Sequence, residues 1–278
     1  MTALHQITQW PVPTAAAAYI GPDDEARSEG DTSHSFRLAS ISKMFVGWCA
    51  LIAVEEGIVT LDEPVDSNGR TLRQLLSHAG GYAFDGETPI AAPESRRIYS
   101  NTGIEHAANA LAVASGMPFA HYLREAVLEP LGMEQTVLKG SPAFGMWSTV
   151  DDLLRFAREL RSPRLLHASS AAAFTTCQFP ELAGIVPGVG HFDPCPWGLG
   201  TELRGGKAPH WTGVQNSPST FGHFGGAGTL LWVDKGANVA CIALTDRLFD
   251  EWAADALVLW PRLSDAVLAE AAGGVTSA

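Results

Sequence analysis

Ser40 and Lys43 stand three residues apart in Phe36-Arg37-Leu38-Ala39-Ser40-Ile41-Ser42-Lys43-Met44-Phe45-Val46-Gly47-Trp48, where an extended run gives way to a helical one. Residues at i and i+3 share a helix face, so the hydroxyl and the amine come within hydrogen-bonding reach. A serine at a helix start also lies beside free backbone N–H groups and the positive end of the helix dipole, a suitable place to generate an oxyanion. Lys43 acts as a base only after losing its proton, which at neutral pH costs about 4.6 kcal/mol from an ordinary pKa near 10.4. Burial beside Ile41, Met44 and Phe45 would supply that shift. Taken alone, the stretch reads first as an N-cap serine followed by a surface lysine.

Two further stretches carry chemistry. Tyr99-Ser100-Asn101 opens a helix and reads either as its cap or as a proton relay (Tyr99) beside an amide donor (Asn101). A phenol of pKa about 10 needs a neighbouring cation to ionise, and Lys43 could be that cation. His223-Phe224-Gly225-Gly226 falls on a strand, where paired glycines mark close approach of another backbone or of a ligand. The backbone N–H of Gly226 would then be free to donate to an oxyanion. His78, at the end of Leu75-Leu76-Ser77-His78-Ala79-Gly80, reads as structural. The sequence holds no H-E-x-x-H, no cysteine pair at zinc spacing, no G-x-S-x-G, no dinucleotide fingerprint and no P-loop, so neither a metal nor a cofactor is expected.

These residues must be positioned by elements at both ends of the chain. Thr14–Gly21 and Ala26–Gly30 form a hairpin, and residues 40–56 a helix. Thr71–His78 is a short helix stopped by Gly80-Gly81, and residues 82–98 are a loop. Helices follow over Thr102–Ser115, Pro118–Glu129, Asp152–Leu160 (behind a capping box at Ser148) and Ala168–Thr176. Residues 180–196, rich in proline and glycine, read as a linker back to a sheet of Trp197–Leu203, Phe221–Gly226, Thr229–Val233 and Val239–Thr245. A helix over 249–271, interrupted at Pro261, closes the chain. Strands at both ends around a run of helices predict an α+β fold: an antiparallel sheet flanked by helices, with an inserted all-helical subdomain. One domain over 1–278 is expected, with its sheet region at about 1–39 and 197–278 and its helical region at about 40–196.

Of 278 residues, 46% are apolar and 17% charged, and the net charge is −12. That balance excludes nucleic acid and anionic membrane as main partners. The first 22 residues carry no charged side chain and no basic region precedes Ala15–Ala18, so neither a signal peptide nor a membrane span is expected. Four cysteines without paired spacing suit a reduced, cytoplasmic setting.

The ordered set Ser40-Ile41-Ser42-Lys43, Tyr99-Ser100-Asn101 and His223-Phe224-Gly225 resembles the three motifs of the serine β-lactamase-like hydrolases, the group of class C β-lactamases, D-alanyl-D-alanine carboxypeptidases and their esterase relatives. Flanking segments join the resemblance: Leu75–Gly81, Pro130–Met133 with Thr136, Ser148-Thr149 with Asp152-Leu153, Trp197–Gly200, and Leu244–Asp246. The resemblance implies a β-lactamase/transpeptidase-like fold with the site between sheet and helices. It implies Ser40 as the acylated nucleophile, Lys43 as its base or proton partner, and Tyr99 as the shuttle to the leaving group. Asn101 would orient the acyl chain, and the N–H groups of Ser40 and Gly226 would form the oxyanion hole. Two departures bear on the substrate. His223 stands where lactamases usually have a lysine that helps hold a carboxylate, and esterase-like members commonly have histidine there. The segment 137–147, which often walls the pocket, is short, so a more open site is expected. The implied function is a serine hydrolase working through an acyl-enzyme on a small-molecule substrate, carboxylic esters first. β-Lactam or D-Ala-D-Ala amide hydrolysis is the alternative, and a non-hydrolytic ligand-binding or sensory role the alternative of another class.

Overall fold

The computed structural model describes residues 2–274. The chain begins with the hairpin β1 (Ala15–Ile20) and β2 (Ala26–Glu29), then crosses a short strand β3 (Phe36–Arg37) into the helical region. There lie the helices α1 (Ser42–Glu55), α2 (Leu72–Leu76) and α3 (Asn101–Ser115), a small sheet in which β4 (Val137–Leu138) and β5 (Met146–Ser148) join β3, and helices Val150–Arg161 and Ala168–Phe174. A second hairpin, β6 (Gly184–Val186) with β7 (Gly190–Phe192), precedes β8 (Glu202–Leu203), β9 (Phe221–Gly225), β10 (Thr229–Asp234) and β11 (Val239–Thr245). The main sheet has the order β2-β1-β11-β10-β9-β8, antiparallel throughout.

Both faces of this sheet are covered, and the period of two along each strand sorts its side chains. Ala16, Ala18, Ile20, Leu231, Ile242 and Leu244 face α1, α3 and Val150–Arg161. Ala17, Tyr19, Trp232, Cys241 and Ala243 face the C-terminal helix Ala253–Gly274, meeting Trp252, Trp260 and Leu263. Helix α1 is buried from Ser42 to Ala53, as a helix apolar all round must be. It admits a second backbone at arm's length: a Cβ on Gly47 would lie 2.0 Å from the carbonyl oxygen of Leu199.

Several expected boundaries move. Thr149, not Ser148, caps Val150–Arg161, its hydroxyl accepting from the N–H of Asp152. Ser148 instead bonds Thr136 at 2.7 Å, and Thr136 donates to Asp152. α2 ends at Leu76, before the glycines, and His78 takes a left-handed φ of 58°. Of the expected strand Trp197–Leu203 only Glu202–Leu203 is one; Trp197–Gly200 runs irregularly against α1. The expected linker 180–196 contains the β6–β7 hairpin. Pro261 lies inside a continuous helix. Among the described residues no helix is long and apolar enough to cross a membrane, and the four cysteines are unbonded.

Candidate active site

Ser40 sits on a 3₁₀ turn, Ala39–Ile41, that runs directly into α1. Ala39 before it has φ 47°, a left-handed conformation that costs a residue with a Cβ roughly 1 kcal/mol. The surrounding hydrogen bonds impose it. Ser42 Oγ donates to Ala39 O at 2.6 Å and accepts from Met146 N–H at 3.1 Å. Thr229 Oγ1 donates to Leu38 O at 2.9 Å. Strand β9 presses on the same turn, and a Cβ on Gly225 would stand 2.2 Å from Leu38 O and 3.1 Å from Ala39 Cβ. Gly225 is therefore there for a backbone. Gly226 beside it is exposed and faces open space. Of the two glycines, Gly225 meets the close backbone that the sequence leads one to expect, and Gly226 is left facing open space.

Lys43 is fully buried. Its Nζ lies 3.0 Å from Ser40 Oγ, 2.8 Å from Asn101 Oδ1 and 3.0 Å from Ala143 O. As an ammonium it donates to all three. As a neutral amine it gives its two N–H groups to the two carbonyl oxygens, which can only accept. Its lone pair then points at the Ser40 hydroxyl. Burial lowers the Lys43 pKa to about 7, against a smaller opposing pull from Glu105 and Asp85.

Tyr99 does not meet the expectation of a lysine-stabilised phenolate. Lys43 Nζ lies over its ring, 4.8 Å from the centroid. Burial pushes the phenol up, a hydrogen bond with Ser40 opposing this only in part. Tyr99 is thus a neutral acid at neutral pH. Its Oη is 3.4 Å from His223 Nε2. His223 Nδ1 is 2.6 Å from Phe224 O, an acceptor, so Nδ1 carries the proton and Nε2 accepts from Tyr99. Burial, and then the nearby Lys43, lower the His223 pKa to about 4. A neutral His223 whose N–H is spent on Phe224 offers a substrate neither a charge nor a hydrogen-bond donor.

Asn101 is engaged on both sides of its amide. Its Oδ1 is held by Lys43 and its Nδ2 donates to Asp85 Oδ1 at 3.2 Å, leaving one amide hydrogen for a substrate. Asp85, Ala143 and Ser42 had no sequence signal, since a carbonyl acceptor and a loop carboxylate carry no motif. His78 backs the site: it accepts from Ser100 N–H at 3.2 Å and packs on Tyr99 and Trp197 with ring centroids 4.5 and 4.9 Å away.

Ser40, Tyr99, His223 and Gly226 open onto one cavity of about 180 Å³. Its other walls include Trp197, Phe224 and Phe249, with Val186–Gly188 from the β6–β7 hairpin. The segment 137–147 contributes no lining residue, so the wall it was expected to form or leave open is built from the hairpin. The only charged side chains lining the cavity, among the described residues, are the carboxylates Glu202 and Asp250. Among the described residues no group of three or more His, Cys, Asp or Glu is arranged to hold a metal ion.

Comparison with known proteins places this geometry. The chain is similar, at 49% identity and a TM-score of 0.93, to a crystal structure of a β-lactamase from Mycobacterium bovis, covering 97% of this chain and 99% of that one. EstCE1, a hydrolase with promiscuous acyltransferase activity, shares the fold at a TM-score of 0.77 and 17% identity, over 95% and 96% of the two chains. The D-alanyl-D-alanine-carboxypeptidase/endopeptidase AmpH of Escherichia coli (strain K12) is 29% identical over 223 residues, 55% of this chain and 57% of the relative. The chain thus spans just over half the length of that curated relative, and 31% of a penicillin-binding protein of Bacillus subtilis (strain 168). The Beta-lactamase family profile matches residues 12–261, from before β1 into the C-terminal helix, and the chain belongs to that family of serine β-lactamase-like hydrolases.

Proposed function

We propose that the protein hydrolyses small carboxylic esters through an acyl-enzyme on Ser40, with Lys43 as base and Tyr99 as acid. Ser40 Oγ attacks the ester carbonyl and its proton passes to the lone pair of Lys43. The carbonyl oxygen becomes an oxyanion facing the N–H groups of Ser40 and Gly226. As the carbon–oxygen bond to the alcohol breaks, Tyr99 gives its proton to the departing oxygen and recovers one from Lys43. Water then attacks the acyl-enzyme, and its proton returns to Ser40. His223 orients the Tyr99 phenol as a neutral acceptor and, with a pKa of about 4, does not take the proton away.

The observation that carries the ester reading is the want of a cation: no lysine or arginine lines the cavity among the described residues, and of its two carboxylates Glu202 is already paired with Lys207 and His210. In a β-lactam or a D-Ala-D-Ala peptide a carboxylate sits within a few bonds of the scissile one, and here it would find no cation on the cavity wall and would meet Asp250 as like charge. The cavity volume of about 180 Å³ equals about six water molecules, room for an acetyl to butyryl group. The lactam reading is favoured by the similarity to the Mycobacterium bovis β-lactamase. The test is kcat/KM at pH 7.5 for p-nitrophenyl butyrate and a chromogenic cephalosporin. Faster turnover of the ester is expected; preference for the cephalosporin would replace this reading with the lactamase one, and a single burst without turnover would replace it with the sensory one.

A further inference from the structure

A second cavity, of about 460 Å³, adjoins the first across Phe84, Tyr99 and Pro187, which line both. It is otherwise built from the loop before α3 and the β6–β7 hairpin, and its walls are largely apolar: Ile90, Ile98 and Ile185 among them. Phe84 is 51% exposed, Ile90 58% and Ile185 58%, so three of the large apolar side chains that this chain leaves in water gather on one groove beside the reacting tyrosine. Two arginines line it. Arg97 is spent: its guanidinium donates to the carbonyl oxygens of Ser77, Cys195, Gln178 and Phe179. Arg96 is exposed and forms no hydrogen bond or ion pair among the described residues. An unpaired cation at the rim of an apolar groove is notable in a chain of net charge −12.

The direction of the chemistry says which part of a substrate lies here. A proton donor must be within hydrogen-bond reach of the oxygen it protonates, so the leaving oxygen stands at Tyr99. The acyl group, bonded to Ser40, occupies the small cavity. The remainder of the alcohol must continue past Tyr99, and the groove that Tyr99 also lines adjoins the cavity there. We propose that this groove receives the leaving group, an apolar alcohol carrying an anion at its far end, with Arg96 as the anion's partner. An anion close to the scissile bond would instead lie on a cavity wall that holds no lysine or arginine and would face Asp250. The inference rests on the ester reading and names the substrate class for it: a short acyl ester of a long, apolar, distally anionic alcohol.

The test compares 3-(4-acetoxyphenyl)propanoate with 3-(4-acetoxyphenyl)propanamide, whose leaving phenols differ only in a charge insulated by two methylenes. In the unmodified protein kcat/KM should favour the carboxylate about fivefold at low salt, the scale of one exposed ion pair, and the preference should shrink at high ionic strength. Arg96→Gln should bring the ratio to one. Equal kcat/KM for the two esters in the unmodified protein would overturn the proposal. Calorimetric binding of the free product, 3-(4-hydroxyphenyl)propanoate, to the Ser40→Ala variant separates the two readings. Binding that weakens about fivefold when Arg96→Gln is added sustains the groove even if no ester is turned over, an outcome that would sink the ester reading alone. Binding that is absent or indifferent to Arg96→Gln overturns the groove even where esters are hydrolysed.

Discussion

Two lysines are buried on either side of the catalytic cavity, and they have opposite surroundings. Lys43 Nζ meets a hydroxyl and two carbonyl oxygens. Lys207 Nζ meets the carboxylate of Glu202 at 2.9 Å and the carbonyl oxygens of Pro196 and Leu203. Glu202 is completed by His210 at 3.0 Å and the indole N–H of Trp211 at 2.7 Å. Burial alone would raise the Glu202 pKa, but Lys207 and His210 overcome it and hold the carboxyl well below its ordinary range. The Glu202 cluster therefore fastens β8 to the loop behind the cavity as a closed set of opposite charges. Lys43 has no carboxylate in contact, so burial acts on it unopposed at close range and lowers its pKa to about 7. The presence or absence of one touching carboxylate separates a strut from the base proposed for the reaction.

The contrast breaks most sharply in activity. Ser40→Ala and Lys43→Ala should each lower kcat on p-nitrophenyl butyrate by about 10⁴ or more, the scale of removing a member of a nucleophile–base unit. Intact-mass analysis after a fluorophosphonate probe should show one adduct, lost in Ser40→Ala. An adduct that survives that substitution would remove Ser40 from the mechanism.

Gly225→Ala asks whether the nucleophile side is held by shape. Its Cβ would meet Leu38 O at 2.2 Å and push the turn that carries Ser40. A displacement near 1 Å costs about 100-fold in rate, and kcat/KM should fall on that order while the Lys207–Glu202 side is untouched. Unchanged kinetics would show that the close approach is incidental.

Stability separates the lysines in the reverse order. Lys207→Met leaves Glu202 buried without its main partner and should cost about 3–5 kcal/mol, read as a lowered midpoint in urea. Lys43→Met removes a group that folding deprotonates. Between pH 7 and about 10.4 the unfolded chain holds the Lys43 proton and the folded chain does not, so the unmodified protein gains stability as pH rises through that window. The variant lacks that gain. Its stability relative to the unmodified protein should be highest at and below pH 7 and decline towards pH 10. The opposite slope would mean that Lys43 stays protonated when folded.

The legible part of the site was the part written in contiguous residues. Ser40 and Lys43 are one helical turn apart, and Tyr99 and Asn101 open α3, so type and spacing were enough to pair each set. The sheet was legible from strands at both ends of the chain, and α1 from its unbroken apolar run. What could not be read was assembled across long separations by backbone. Ala143 O reaches Lys43 across 100 residues. The β6–β7 hairpin that walls the cavity has three-residue strands in a segment rich in proline and glycine, too short for any period to show. Trp197–Leu203 reads as a strand in the sequence, yet Gly200 lies against the Lys43 carbonyl, 2.6 Å from where its Cβ would be. The tautomer of His223, which decides what it can bind, depends on a bond to the carbonyl of the next residue, and no side-chain pattern records that.

Lys43 loses its proton near pH 7 because burial acts on it with no carboxylate in contact, and Asn101→Asp places one there. Asn101 Oδ1 already lies 2.8 Å from Nζ, so the substitution gives Lys43 the surroundings of Lys207. The measurement is kcat/KM for p-nitrophenyl butyrate from pH 5 to 10 in both proteins. In the unmodified protein the rate should rise about tenfold per pH unit below an inflection near 7 and level off above it. In Asn101→Asp the inflection should move up by a unit or more, with about a tenfold loss at pH 7 that recovers towards pH 9. An inflection that stays in place in Asn101→Asp, or a profile flat through pH 7 in the unmodified protein, would contradict Lys43 as the base.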